Sequence, residues 1–235
     1  MPNKITVIYD NNTHDPNLDD AWGFSALIQD RGRHLLFDTG GDGSILLGNM
    51  QKLGIDPKTI EAIVLSHNHS DHTGGLLALL ELGIQPVVYI LPSFPSEFKH
   101  KISELTTVVN VSLGQSLTES IFTSGEIDAS IPEQALAVKT GKGIVIMTGC
   151  AHPGIVNIVE RIKSLLNNSV YLVMGGFHLG MKSESNINVI LAEFRRLGVK
   201  KAAPCHCSGN KARAMFAAEY GKDYLNIGVG SIIEI

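Results

Sequence analysis

The first third of the chain alternates short apolar runs with polar turns, and the apolar runs have the length of strands. Residues 5–9 predict a first strand, and residues 22–29 and 34–37 predict a hairpin. The hairpin turn contains Gly32, a residue that tolerates positive φ. The apolar run that ends at Leu65 predicts a further buried strand.

Helical periodicity appears between these strands. The apolar positions Ile45, Leu46, Met50 and Leu53 recur at helical spacing, and Gly54 follows where a left-handed cap is expected. Residues 76–82 form a second run that favours a buried helix, and residues 86–91 favour a strand. Residues 92–101 are expected to be irregular and partly basic, either binding an anionic substrate group or lying solvated on the surface.

The second part of the chain repeats this organisation. Short strand-like pieces over 105–123 precede a hairpin of residues 136–139 and 144–148. The sequence then predicts alternating helices and strands, with strands at 170–174 and 199–203, a helix at 212–220 and a last strand within 227–235. An α/β (α+β) protein of two similar halves is therefore expected, as one domain spanning residues 1–235.

Chemistry concentrates at the turn after Leu65. Three histidines and one carboxylate fall within six residues, namely His67, His69, Asp71 and His72. Alternation along an extended backbone lets His67 and His69 point the same way, while Asp71 and His72 open the next helix. Neutral imidazole is the commonest metal ligand, so this cluster predicts a metal site rather than a polar cap.

Further histidines occupy similar junctions in the second half. His152 lies between a strand and a helix, and His178 follows the strand at 170–174. His206 lies between Cys205 and Cys207, and an extended segment there would turn His206 toward a site and let both thiols pack. Alone, His152 could cap a helix, His206 could be structural, and His178 could be a packing residue.

Composition narrows the class of function. The net charge of −4 with scattered basic residues argues against nucleic acid as a partner. The N-terminal residues lack the apolar core of a signal peptide, and no apolar run has membrane-spanning length. Three cysteines without an obvious pairing favour a reducing compartment. We therefore expect a cytoplasmic protein that acts on a small molecule and contacts no membrane.

The pattern H-x-H-x-D-H at residues 67–72 resembles the signature of the metallo-β-lactamase superfamily. The resemblance implies an αββα sandwich of two mixed β-sheets flanked by helices. It also implies that His67, His69 and His152 hold one ion, and that Asp71, His72 and His206 hold a second. Asp38, in the pattern F-D-T-G, is implied to support the metal-binding loop from behind.

One departure from the family pattern concerns the second ion. Many members with two ions carry a bridging aspartate after the strand that follows the third motif, and this chain has Gly175 and Gly176 there. His178 would then replace that ligand or bind substrate. Together with the motifs around Asp38, His152 and His206, this segment resembles a narrower branch. That branch is named after 7,8-dihydropterin-6-methyl-4-(β-D-ribofuranosyl)-aminobenzene 5′-phosphate synthase.

These features predict a metal-dependent hydrolase that uses a metal-activated water on a phosphodiester, ester or lactone. Zinc is the expected cofactor, as one or two ions, with Mn, Fe or Ni as alternatives. Asp71 is the expected catalytic residue, orienting the nucleophile and shuttling its proton. The alternatives are a pterin-phosphate condensing enzyme, a mononuclear iron redox protein, and a catalytically silent metal- or ligand-binding module.

Overall fold

The computed structural model describes residues 3–235, and residues 1 and 2 lie outside the described part. The strands are β1 Lys4–Asp10, β2 Phe24–Asp30, β3 Arg33–Phe37, β4 Ala62–Val64, β5 Val87–Ile90, β6 Val108–Asn110, β7 Leu113–Ser116, β8 Ile121–Gly125, β9 Leu136–Thr140, β10 Gly143–Thr148, β11 Val170–Gly176, β12 Lys201–Cys205 and β13 Ile232–Glu234. The helices are α1 Gly43–Lys52, α2 Ser70–Thr73, α3 Leu76–Leu80, α4 Ser96–Ser103, α5 Ile155–Leu166, α6 Glu184–Arg196 and α7 Gly209–Tyr220.

The chain divides into two compact units, each built around one mixed sheet. Unit 1 comprises Met1–Ser112 and Gly228–Ile235, and unit 2 comprises Leu113–Ile227. The sheet of unit 1 has the order β13-β1-β2-β3-β4-β5-β6, and the sheet of unit 2 has the order β12-β11-β10-β9-β8-β7. The expectation of two similar halves is therefore confirmed at the level of sheet composition.

In unit 1, β3 to β6 pair in parallel and the remaining strands pair antiparallel. Helix α1 begins where the Asp42 side chain accepts hydrogen bonds from the backbone of Ser44 and Ile45, and its buried Leu46 and Met50 join an apolar cluster with α3. Gly54, at φ 67, follows the helix as predicted.

In unit 2, β10, β11 and β12 pair in parallel and β7 to β10 pair antiparallel. The buried side of α5 packs in the same apolar cluster as residues of α6 and α7. Phe177, Phe194 and Phe216 meet within this cluster, with ring centroids 5.3–5.7 Å apart. The amphipathic spacing read from the sequence is thus the packing face of these helices.

The parallel strands matter most for function, because polar side chains follow their carboxyl ends. In unit 1, Asp38 follows β3 and the 67–72 cluster follows β4. In unit 2, residues 149–152, His178 and His206 follow β10, β11 and β12. Side chains that follow neighbouring parallel strands emerge at one edge of a sheet, where α/β proteins usually bind ligands.

The prediction of an irregular segment over residues 92–101 was wrong over its second half, which is part of α4. Pro95 immediately precedes the helix, and its ring presets a φ of −55° there. Lys99 donates a hydrogen bond to the Pro92 carbonyl, and exposed His100 pairs with Glu104. Lys99 and His100 therefore have local partners beside and within α4, and the binding of an anionic substrate group by this segment stays a prediction.

Within residues 3–235, none of the helices combines the length and the apolar character needed to cross a membrane.

Candidate metal centre

The turn after β4 brings three imidazoles together inside unit 1. His67 and His72 are fully buried, and their ring centroids lie 4.3 Å apart. The Nε2 atom of His67 lies 3.0 Å from the Nδ1 atom of His69. Residues 67 and 68 form a bend, so the prediction of an extended backbone there was wrong, but the two ring nitrogens still converge on one region.

Asp38 holds two of these rings. One of its carboxylate oxygens accepts a hydrogen bond from the Ser66 amide at 2.7 Å, and the other lies 2.7 Å from the Nδ1 atom of His72. That second oxygen also accepts from the Ser66 hydroxyl at 2.8 Å, and Ser66 Oγ lies 2.8 Å from His67 Nδ1. Proton donation along this chain places the ring hydrogens of His67 and His72 on Nδ1.

The protonation of Nδ1 determines the state of the other nitrogen, Nε2, in each ring. With Nδ1 protonated, His67 and His72 present an unprotonated Nε2, which is the form that binds a cation. Asp38 is fully buried, and its backbone adopts a φ of 58°. The position expected from the family resemblance to support the loop therefore contacts it directly, and Ser66 is an additional contributor that the sequence did not single out.

Asp71 supplies the carboxylate of the cluster. Its Oδ2 lies 3.6 Å from the Nε2 of His72, and its side chain is 19% exposed. The backbone of His72 is fixed by Thr39, whose amide and hydroxyl both donate to the His72 carbonyl, at 2.8 and 3.0 Å. Gly75 permits this approach, because a Cβ there would lie 2.2 Å from the Thr39 carbonyl oxygen.

Two imidazole nitrogens of unit 1 have a spacing close to that of metal ligands. A tetrahedral zinc ion with bonds of about 2.0–2.1 Å to nitrogen separates its ligand nitrogens by about 3.3 Å. The 3.0 Å between His67 Nε2 and His69 Nδ1 is close to that spacing. Imidazole and carboxylate without thiolate suit zinc, and they also suit manganese, iron and nickel.

In unit 2, a buried carboxylate organises the turn after β10. Glu133 accepts hydrogen bonds from the amides of Cys150, Ala151 and His152, at 2.9, 2.9 and 2.8 Å. It is fully buried, and it supports this turn as Asp38 supports the turn of unit 1. Glu133 was not among the predicted site residues, although an acidic residue leading directly into the apolar strand at 136–139 was a usable signal.

The turns after β11 and β12 complete the polar edge of unit 2. His206 is 2% exposed and adopts a φ of 47° within a short 3-10 turn, His206–Ser208. The prediction that residues 205–207 are extended was therefore wrong. The chain turns at His206, and the Cys207 sulfur lies near Cys150 and His178.

Cys150, His178 and Cys207 form a compact polar cluster, each contributing one atom within 4.8 Å of the others. Hydrogen bonding from Cys150, and also from His178, holds the pKa of the Cys207 thiol well below its usual range. The hydrogen bond with Cys207 in turn raises the pKa of His178. His178 also lines a cavity of about 210 Å³ together with His152 and Lys182.

Backbone strain marks the same turns. Six non-glycine residues in the described chain have positive φ, and four of them, Asp38, Ala151, His178 and His206, lie in the turns that carry the polar clusters. Such conformations cost on the order of 1–3 kcal/mol each and persist where the surroundings enforce them. The strained positions therefore coincide with the candidate site.

A family model described as the metallo-beta-lactamase superfamily matches residues 23–123. The chain is also 33% identical to a 7,8-dihydropterin-6-methyl-4-(beta-D-ribofuranosyl)-aminobenzene-5'-phosphate synthase of Methanocaldococcus jannaschii, over 86% of this chain and 84% of that protein. The chain belongs to the metallo-β-lactamase superfamily.

Solved structures agree with this membership. A metal-dependent hydrolase of the beta-lactamase superfamily is 28% identical, with a TM-score of 0.85 over 99% of both chains. The metallo-beta-lactamase fold protein YhfI from Bacillus subtilis is 16% identical, with a TM-score of 0.72 over 100% of both chains, and shows a shared fold. The expected fold class, two mixed sheets with helices, is therefore confirmed.

Proposed function

We propose that the protein is a metal-dependent hydrolase that acts on a small cytoplasmic metabolite of the phosphodiester, ester or lactone type. The main support for this proposal is the chain of hydrogen bonds that begins at Asp38. It contacts His72 directly and reaches His67 through Ser66, so that both rings present an unprotonated Nε2. A buried carboxylate that fixes imidazole tautomers in this way is typical of metal sites, where it also raises ligand basicity.

The proposed ligands follow the family pattern residue by residue. His67, His69 and His152 bind one ion, and Asp71, His72 and His206 bind a second. Zinc is the proposed metal, with manganese, iron or nickel as substitutes. When bound, such an ion acts as a Lewis acid and makes water a stronger nucleophile at neutral pH.

The chain's own residues have distinct parts in this proposal. Asp71 orients the attacking water and accepts its proton, and its partial exposure keeps the carboxylate accessible. Asp38 does not touch substrate; it positions His67 and His72. His178 binds substrate or serves as an extra ligand, since it lines the cavity that also contains Lys182.

The missing bridging aspartate has a structural reason. Gly175 has a φ of 111°, and a Cβ there would lie 2.1 Å from the Thr148 carbonyl oxygen. A Cβ at Gly176 would lie 2.2 Å from the Gly149 carbonyl oxygen. Neither position has room for a carboxylate side chain, so we propose that the second ion binds more weakly than the first.

A second candidate function is the condensation of a phosphorylated pterin. The relative that is 33% identical is named as a synthase of a dihydropterin phosphate, and this likeness covers most of both chains. The same ligand residues would then organise the pterin phosphate. The three cysteines are unbridged, which supports the reducing cytoplasmic setting that either function assumes.

The test is a turnover assay on protein reconstituted separately with each proposed metal. Phosphodiesters, esters, thioesters and lactones form one panel, and reduced pterin phosphates with a phosphorylated ribosyl aminobenzene form the other. We expect hydrolysis that His67→Ala abolishes and that His100→Ala leaves unchanged, because exposed His100 lies in α4.

Turnover on the pterin panel alone would replace the hydrolase proposal with the condensing function. Ligand binding without turnover on either panel would indicate a binding module. Activity that requires iron and an oxidant, with zinc inactive, would indicate redox chemistry instead.

A further inference from the structure

We propose that Cys150, His178 and Cys207 form a binding site for a thiophilic divalent metal ion of the zinc class, additional to the two proposed ligand sets of the hydrolase, and that this is the ligand role of His178. All three residues belong to unit 2, and each follows the carboxyl end of one of its parallel strands, β10, β11 or β12. Neither the family pattern nor the proposed mechanism uses either thiol.

The spacing of the donor atoms carries the proposal. One sulfur from each cysteine and one ring nitrogen of His178 lie within 4.8 Å of one another. Tetrahedral zinc, with bonds of about 2.3 Å to sulfur and about 2.0 Å to nitrogen, separates its ligand atoms by about 3.3–3.8 Å. Small side-chain rotations therefore suffice to bring all three donors to one ion.

The absence of a side chain at Gly176 leaves space for the Cys207 sulfur. A Cβ at Gly176 would lie 2.7 Å from Cys207 Sγ and 2.2 Å from the Gly149 carbonyl oxygen. The absent side chain at Gly176 thus admits a thiol beside the strand, in the segment where many members of the superfamily carry a carboxylate. A soft sulfur donor in place of a carboxylate favours thiophilic metals such as zinc at this edge of the sheet.

The turns that carry the ligands are tied to their surroundings. The Cys150 amide is held by buried Glu133, and the Gly180 amide donates to the Cys207 carbonyl at 3.3 Å. That last contact links the turn of His178 to the turn of Cys207. A metal site needs ligands whose positions are fixed by their neighbours, and these turns meet that requirement.

Three protein ligands leave a fourth position open, which is the arrangement of zinc sites that bind water or a ligand. His178 is the exposed member of the set, and it borders the cavity of about 210 Å³ that also contains Lys182. The open position would therefore accept water or an anionic group near the Lys182 ammonium.

The test is a Co²⁺ titration of the full chain, reduced and free of oxygen, followed by thiolate-to-cobalt charge-transfer absorption. Sites of imidazole and carboxylate alone give no such band. We expect one thiolate-bearing equivalent in the wild type and loss of its band in the Cys150→Ser, Cys207→Ser double variant. Each single Ser variant should weaken it, and His178→Gln should lower Co²⁺ affinity about tenfold or more.

Cys205→Ser is the matched control, because Cys205 is a fully buried thiol of β12 two residues from Cys207. It should keep the band and the zinc content of the wild type. Urea unfolding of every variant separates lost ligation from lost folding. Absence of the band in the wild type, a band of wild-type intensity in folded Cys207→Ser, or equal loss in Cys205→Ser would each overturn the proposal.

Discussion

Replacing Asp38 by asparagine tests the reasoning behind the metal centre most directly. The backbone at residue 38 has a φ of 58°, a conformation that asparagine tolerates as well as aspartate does. The substitution therefore changes the hydrogen-bonding groups while leaving the turn unstrained.

The amide cannot satisfy all the contacts of the carboxylate. With its oxygen on the Ser66 amide, its NH₂ group faces His72 Nδ1, which must then accept, and the ring proton moves to Nε2. In the other orientation two donors face each other at Ser66, which costs about 1–3 kcal/mol. Disturbing such a supporting partner typically lowers metal affinity about 10–100-fold, or about 1.4–2.7 kcal/mol.

Two measurements check this prediction. Nitrogen-15 NMR of the histidine rings should show the His72 proton on Nδ1 in the wild type and on Nε2 in Asp38→Asn. Competition with a chromophoric chelator should show zinc affinity reduced about 10–100-fold. Asp30→Asn, at a carboxylate of unit 1 that is 2% exposed, is the control and should keep wild-type affinity. An unchanged tautomer with unchanged affinity would refute the role assigned to Asp38.

Four further predictions concern stability. Glu133→Gln should lower the free energy of unfolding by about 2 kcal/mol and the melting temperature by about 4–8 °C, because an amide cannot accept from all three backbone donors. Glu119→Gln at the surface is the control and should change neither quantity. Gly48→Ala should raise the free energy of unfolding by about 0.5–1 kcal/mol, since Gly48 lies inside α1 with open space around it. Gly176→Ala should lower it by about 1–3 kcal/mol through a clash with a backbone carbonyl, and equal effects of the two alanines would contradict this account. Hydrogen bonds from Ser44 and Ile45, in the first turn of α1, lower the pKa of Asp42 below its unfolded value of 3.8. The ionised carboxylate therefore stabilises the fold at pH values above 3.8, and this stability is lost as the pH falls through the lower pKa of the folded state. The stability difference between wild type and Asp42→Asn in urea titrations should therefore shrink well below pH 3.8, and a constant difference would show that the charge is irrelevant.

The sequence by itself determined most of the elements and the candidate ligands at the turn after β4. Alternating and helical apolar patterns predicted most strands and helices, because burial of an apolar face is a local property of the pattern. The cluster at residues 67–72 identified a candidate metal centre because its ligand types are concentrated within one turn. Helix α4 was not predicted, because prolines and basic residues dominate residues 92–101 and the helix begins only after Pro95.

Tertiary structure decided which distant residues support those turns. Ser66 is next to His67 in the sequence, but Asp38 lies 28 residues earlier. The Asp38 carboxylate reaches Ser66 only because β3 pairs with β4. Glu133 supports residues 150–152 for the same reason, from the segment that leads into a neighbouring strand. The thiols of Cys150 and Cys207 meet because β10, β11 and β12 lie side by side and the chain turns at His206. Contacts across a sheet depend on strand order and register, and no short stretch of sequence specifies either one.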